Sequence, residues 1–160
     1  MKRPLFIDMD DVLADFQSSE AFNPDRPTED QLHEMYEPGF FRNLKPVAGA
    51  QKAVRALINM GYHVEILTQA LAESPTCYKE KAEWIAMYFP ELIKRINMTQ
   101  DKGHFIGEFL IDDNPKKWKD KFEANGGKFI HYDYTRNNDA RNRILWETIV
   151  LEFESRKRNE

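Results

Sequence analysis

Short apolar runs punctuate the chain: Leu5-Phe6-Ile7, Val64-Glu65-Ile66-Leu67, Ile96-Asn97-Met98, Phe109-Leu110-Ile111 and Phe129-Ile130. Each is short and followed by polar or turn residues, which predicts five strands. Between them the period changes. Ala50, Ala53, Val54, Leu57 and Ile58 recur at i, i+3, i+4, i+7 and i+8, and Gly61 is placed as a stop, so an amphipathic helix is predicted there. Ser74-Pro75 offers a cap and first-turn proline to a helix through Trp84 and Tyr88, and Asn114-Pro115 does the same for a helix carrying Trp118 and Phe122. Trp146, Ile149, Val150 and Phe153 mark a last helix. Nearly continuous apolar strands that alternate with helices predict an α/β, doubly wound parallel sheet covered on both faces.

Residues 17–45 break this rhythm with Pro24, Pro27, Pro38, an acidic stretch and the pair Phe40-Phe41. They read as a small helical insertion after strand one, with Thr28 placed to cap a helix through Leu32 and Met35. The expected division is a core of 1–16 and 46–160, with 17–45 as a small cap over the site; a plain connecting excursion is the competing reading.

Composition narrows the class. A chain of 160 residues with 41% hydrophobic positions and a formal charge of −4 is the size of one globular domain. A single cysteine, Cys77, forms no intrachain disulfide. The start leads into only three consecutive apolar residues, too short for a signal-peptide core or a membrane span, so a cytoplasmic protein with no membrane partner is expected. The slightly acidic balance argues against a nucleic-acid polymer as partner and leaves small anionic substrates open. Lys116, Lys117, Lys119 and Lys121 surround Trp118 and Phe122 at helical spacing and read as the wet face of a packed helix; Arg156-Lys157-Arg158 reads as a frayed, solvated end. His33, His63, His104 and His131 show no metal-ligand spacing, and neither a dinucleotide-binding glycine motif nor a P-loop occurs. A homodimer is left open.

The chemistry-bearing residues fall where strands end. Asp8 follows the first apolar run, Thr68 the second and Asp112-Asp113 the fourth, while Lys102 lies four residues past the third. In open α/β sheets the ligand crevice lies beyond those carboxyl ends. Asp8 and Asp10 flank one residue at a strand end and face one cavity together. So many carboxylates repel unless a cation joins them, and oxygen-only ligands favour Mg²⁺ over zinc. Such a site suits phosphoryl transfer, with Lys102 and Thr68 as donors to phosphoryl oxygens, one carboxylate as nucleophile and its neighbour as general acid and base.

Asp8-Met9-Asp10-Asp11-Val12-Leu13 resembles the nucleophile signature DxDx(T/V)(L/V) of the haloacid-dehalogenase-like (HAD) hydrolases, and Thr68, Lys102 and Asp112-Asp113 follow in that superfamily's order. More narrowly, DMDDVLADF at 8–16, FFRNLKPVAG at 40–49, TQDK at 99–102 and LIDD at 110–113 are similar to the 5′(3′)-deoxyribonucleotidases. The resemblance implies a Rossmann-like HAD core with a small helical cap, and a Mg²⁺-dependent phosphomonoester hydrolase acting on deoxyribonucleoside monophosphates through an aspartyl-phosphate. It implies Asp8 as nucleophile and metal ligand, and Asp10 as general acid/base lending its backbone carbonyl to the metal. Thr68 and Lys102 would contact phosphate, and Asp112 and Asp113 would complete the metal site, with Asp113 favoured as direct ligand. Gln69 stands among the phosphate donors where a serine is common, and Asp11 stands where a glycine is usual. Phe16, with Phe40 or Phe41, matches a nucleoside pocket, although the same rings would also pack a cap onto the core. Three alternatives accompany this reading. One is a HAD phosphatase for a sugar phosphate or another small phosphomonoester, and another a non-catalytic phospho-ligand module. The third is a receiver-like signalling domain, whose motif order differs.

Overall fold

The computed structural model describes residues 3–19 and 27–159. Five parallel strands form one sheet: β1 Leu5–Ile7, β2 Val64–Thr68, β3 Ile96–Met98, β4 Phe109–Asp112 and β5 Lys128–His131, in the spatial order β3-β2-β1-β4-β5. All five predicted strands are present. Leu5 pairs with Val64 on one side and Phe109 on the other, and Ile7 with Ile66 and Ile111, so β1 is central. The chain winds outward to β3 and then returns to the opposite side of β1. The crevice therefore opens at the carboxyl ends of β1 and β4, where strand order reverses.

Alternation along the strands feeds two cores. Leu5, Ile7, Val64, Ile66, Phe109 and Ile111 pack with side chains from α2 (Ala50–Asn59), α3 (Cys77–Tyr88) and α5 (Asp139–Arg158). Phe6, Leu67, Leu110 and Phe129 face the other way and are covered by Trp118 and Phe122 of α4 (Pro115–Glu123). Helices thus cover both faces, as the apolar strands require. Asn114 caps α4 by accepting Lys117 N–H, with Pro115 in the first turn, as predicted.

Three helix ends differ from expectation. α3 begins at Cys77 rather than at Pro75, because residues 71–76 are used in a turn: Ser74 N–H bonds Leu71 carbonyl and Leu71 N–H bonds Cys77 Sγ. In the excursion between β1 and α2, helix α1 (Thr28–Tyr36) has Thr28 as its first residue and Pro27 in the flanking position. Pro24 lies outside the described residues. Finally, Arg156-Lys157-Arg158 is not frayed: α5 continues through Arg158, Arg156 pairs with Glu152 at 2.5 Å, and Arg156 and Lys157 lie over the rings of Phe109 and Tyr62. Among the described residues no helix is long and apolar enough to cross a membrane.

Candidate active site

The segment after β1 is shaped by what it buries. Met9, Val12 and Leu13 are fully buried, and Leu13 and Ala14 N–H both bond Met9 carbonyl, folding the chain back on itself. Burial of these apolar residues leaves Asp8 and Asp10 to line the cavity at the strand ends. Asp8 N–H donates to Ile111 carbonyl at 2.9 Å, so its backbone is registered against β4. Asp11 adopts φ +57, the left-handed region in which glycine is favoured. Its carboxylate accepts Gln17 backbone N–H at 2.9 Å and the Gln17 side-chain amide at 2.6 Å, which holds the turn closed.

Carboxylate oxygens of Asp8, Asp112 and Asp113 lie within 4.8 Å of one another. Lys102 is buried among them, with Nζ 2.7 Å from Asp8 and 2.6 Å from Asp112. Asp112 accepts Asn114 N–H with its other oxygen. Burial raises the pKa of Asp113 to about 8, reinforced by the charges of Asp8, Asp112 and Asp11. Asp112 is raised to about 6 by burial and by Asp8, against the pull of Lys102. Burial works to lower the Lys102 pKa, yet Asp8 and Asp112 outweigh it and the ammonium is held above its ordinary value. One lysine therefore leaves the acid cluster with excess negative charge, and an oxygen-ligated divalent cation fits that donor set.

Sequence reasoning missed a second buried cation. Lys81 is wholly buried on α3, and its ammonium donates to Asp10 Oδ2 at 2.6 Å, Thr68 Oγ1 at 2.9 Å and Gln69 carbonyl at 2.7 Å. Asp10, in the turn after β1, and Thr68, at the end of β2, are thus joined through one atom. Burial raises the Asp10 pKa and Asp8 adds to it, with Lys81 opposing; Asp10 Oδ1 is buried with no hydrogen-bond partner among the described residues. Gln69 lies at the rim, accepting from Lys117 at 2.6 Å and donating to Gln100 at 3.2 Å. Lys116, Lys117, Lys119 and Lys121 are exposed, as the wet-face reading expects, and Lys117 in addition borders the same cavity.

Two adjoining cavities meet at Asp10, Phe16 and Gln69. The first, about 160 Å³, holds the acids and Lys102; the second, about 250 Å³, is walled by Phe16, Met35, Phe41, Ala70 and Leu71. Phe16 and Phe41 stack with centroids 6.2 Å apart. Phe40 stands edge-on to both, at 5.5 and 5.0 Å, and lines a separate outer cleft rather than this cavity. Of the residues expected from sequence, Asp8, Asp10, Thr68, Lys102, Asp112 and Asp113 are brought together, Gln69, Phe16 and Phe41 border them, and Phe40 backs the wall.

Comparison with known proteins identifies the family of the chain. The family model described as 5′ nucleotidase, deoxy (pyrimidine), cytosolic type C protein matches residues 17–147. The human cytosolic-type 5′(3′)-deoxyribonucleotidase is 32% identical over 139 residues, covering 68% of this chain and 69% of that protein. A Bordetella bronchiseptica protein provisionally named a 5′(3′)-deoxyribonucleotidase is 34% identical over 119 residues; the match spans 68% of this chain and only 59% of that relative's length. Among solved structures, a provisionally named haloacid dehalogenase-like hydrolase from Burkholderia xenovorans superimposes with a TM-score of 0.55 at 12% identity, covering 94% of this chain and 99% of its own.

Proposed function

We infer, for a chain that belongs to the 5′ nucleotidase, deoxy (pyrimidine), cytosolic type C family, that it is a Mg²⁺-dependent phosphomonoesterase acting on deoxyribonucleoside monophosphates through an aspartyl-phosphate. The observation that carries this reading is the junction of an acid-lined cavity with an apolar one at Asp10. Phosphate is accommodated on one side of that residue and the organic leaving group on the other.

The residues divide the work by their surroundings. Asp8 attacks phosphorus in line, with Lys102 holding its carboxylate in place and facing the phosphoryl oxygens. The bond from phosphorus to the ester oxygen breaks as Asp10 delivers its proton to that oxygen, and the alcohol leaves toward the apolar cavity. Asp10 then takes a proton from water, which attacks the aspartyl-phosphate, frees inorganic phosphate and restores Asp8. Burial raises the pKa of Asp10 and Lys81 opposes this; the first step uses the protonated acid and the second its carboxylate. Thr68 accepts from Lys81 and donates weakly to Gln69 carbonyl at 3.5 Å, a bond it would exchange for one to an incoming phosphoryl oxygen.

The Asp8 and Asp113 carboxylates and the Asp10 carbonyl are the groups that would hold Mg²⁺, with Asp112 engaged by Asn114 and Lys102. Bound there, the ion would neutralise charge on the phosphoryl oxygens. Segment 17–45 is read as a cap that closes the apolar cavity, and a cytoplasmic location suits the substrate.

The test is phosphate release with Mg²⁺ across deoxyribonucleotides, ribonucleotides and sugar phosphates, with Asp8→Asn as blank. Preference for deoxyribonucleotides is expected. Equal turnover of sugar phosphates would discard the nucleotidase reading, and release by the blank would discard Asp8.

A further inference from the structure

Glu80 is a buried carboxylate that the chemistry at Asp8 and Asp10 does not use. It is 3% exposed. Its Oε1 accepts Gly39 N–H at 2.6 Å, and its Oε2 accepts the N–H groups of Phe41 at 3.0 Å and Arg42 at 3.4 Å. A carboxylate removed from water needs replacement donors, and here three amides of a single loop supply them. Burial works to raise its pKa, and the Gly39 amide, the Thr76 side chain and the Arg42 and Phe41 amides together outweigh this, holding it below the usual value. Gly39 sits at φ +96, which allows the chain to turn so tightly that these neighbouring amides converge on one side chain.

That loop carries the aromatic wall. Phe41, whose amide is one of the three, is buried against Phe16 on the wall of the cavity beside Asp10. The next residue of α3 is Lys81, which holds Asp10 and lies 5.2 Å from the Phe41 ring centroid. One turn further on, Trp84 Nε1 donates to Leu44 carbonyl at 2.8 Å and fixes the far end of the loop. A single stretch of helix therefore sets both the acid and the ring wall next to it.

We propose that Glu80 is a positioning residue for leaving-group recognition: its bonds to the 39–42 amides hold Phe41 against Phe16, so that the organic part of the substrate is gripped beside Asp10. This rests on the reading of the apolar cavity as the leaving-group site. Glu80→Gln turns an NH₂ donor toward amides that already donate, so at least one bond is lost and the loop is released.

The experiment compares kcat/KM for a deoxyribonucleoside monophosphate and for glycerol phosphate in the full chain and in Glu80→Gln. The ratio of the two is expected to fall about tenfold, chiefly through the nucleotide KM, the scale of one lost pocket contact. In a Phe16→Ala background the same substitution should change the ratio little, and amide exchange over 39–42 should quicken while α3 stays protected. If Glu80→Gln does not fold, Glu80→Asp, which keeps the charge but retracts it by one methylene, is read on the same ratio. An unchanged ratio, or an equal loss on both substrates, overturns the proposal. Wild type that prefers another bulky phosphomonoester refutes the deoxyribonucleotide reading, and the ratio is then measured on that substrate. Wild type that prefers glycerol phosphate to every bulky ester overturns the role of Glu80 and leaves the phosphatase reading standing, whereas no release from any ester sinks both.

Discussion

Lys81 Nζ lies 2.6 Å from Asp10 Oδ2, on a side chain with no solvent exposure. This ion pair crosses from α3 to the turn after β1 and fixes the direction in which the acid faces. Lys81→Met removes it, together with the bonds to Thr68 and Gln69. Turnover of an alkyl phosphate, whose alkoxide needs a proton, should fall about a hundredfold. Turnover of p-nitrophenyl phosphate, whose phenolate leaves unaided, should fall much less. Steady-state kinetics on the two esters checks this, and equal losses would reduce Lys81 to a structural role.

The acid cluster makes stability depend on pH and on metal together. Asp112 and Asp113 have pKa values raised to about 6 and about 8, first by burial and then by the charge of Asp8. A carboxyl raised in the folded state retains its proton when the unfolded chain has lost it. The folded state then binds more protons, and stability falls as pH rises from about 4 to about 8. Without divalent ions the melting temperature should be lower at pH 8 than at pH 5. Added Mg²⁺ should raise it more at pH 8, because binding competes with protons for the same oxygens. Thermal melts with EDTA and with Mg²⁺ at both values test the sign; a larger Mg²⁺ effect at pH 5 would contradict it.

Asp11 shows the same linkage outside the ligand set. Burial raises its pKa to about 7, partly offset by the two bonds from Gln17. Asn tolerates the left-handed conformation and keeps an acceptor for Gln17 N–H. Asp11→Asn removes a charge whose burden grows as pH rises through that window. Its melting temperature relative to wild type should therefore be higher at pH 8 than at pH 5, and the opposite trend would rule out this account.

Gly127 tests the packing that supports β4 and β5. A Cβ there would run into the Phe122 ring and lie 2.9 Å from Gly107 carbonyl, an obstacle belonging to the backbone. Gly127→Ala is expected to cost about 1–3 kcal/mol, the usual penalty of overpacking. Chemical denaturation measures it, and a neutral result would show that Phe122 yields.

The sheet was legible because each strand is a short apolar run ended by a polar residue, and the acids followed from those ends. Lys81 was not, since Lys79-Glu80-Lys81 reads locally as solvated helix. A signal was nevertheless present: Cys77, Lys81, Trp84, Ile85 and Tyr88 recur at helical spacing, which puts this lysine on the buried face. The partners of Glu80 could not be read at all, because they are backbone amides about 40 residues distant and carry no side-chain signature. α5 is a milder case. Its basic end looked unstructured because the rings that receive Arg156 and Lys157, Phe109 and Tyr62, lie far away in sequence.

Acid-quenched single turnover of a deoxyribonucleoside monophosphate carrying radiolabelled phosphate, with Mg²⁺, tests the central claim most directly. Label should appear on wild-type protein, be released by hydroxylamine as an acyl phosphate is, and map to Asp8, with none on Asp8→Asn. Phosphate released at the wild-type rate without labelled protein, or label persisting in Asp8→Asn, would contradict the covalent role of Asp8.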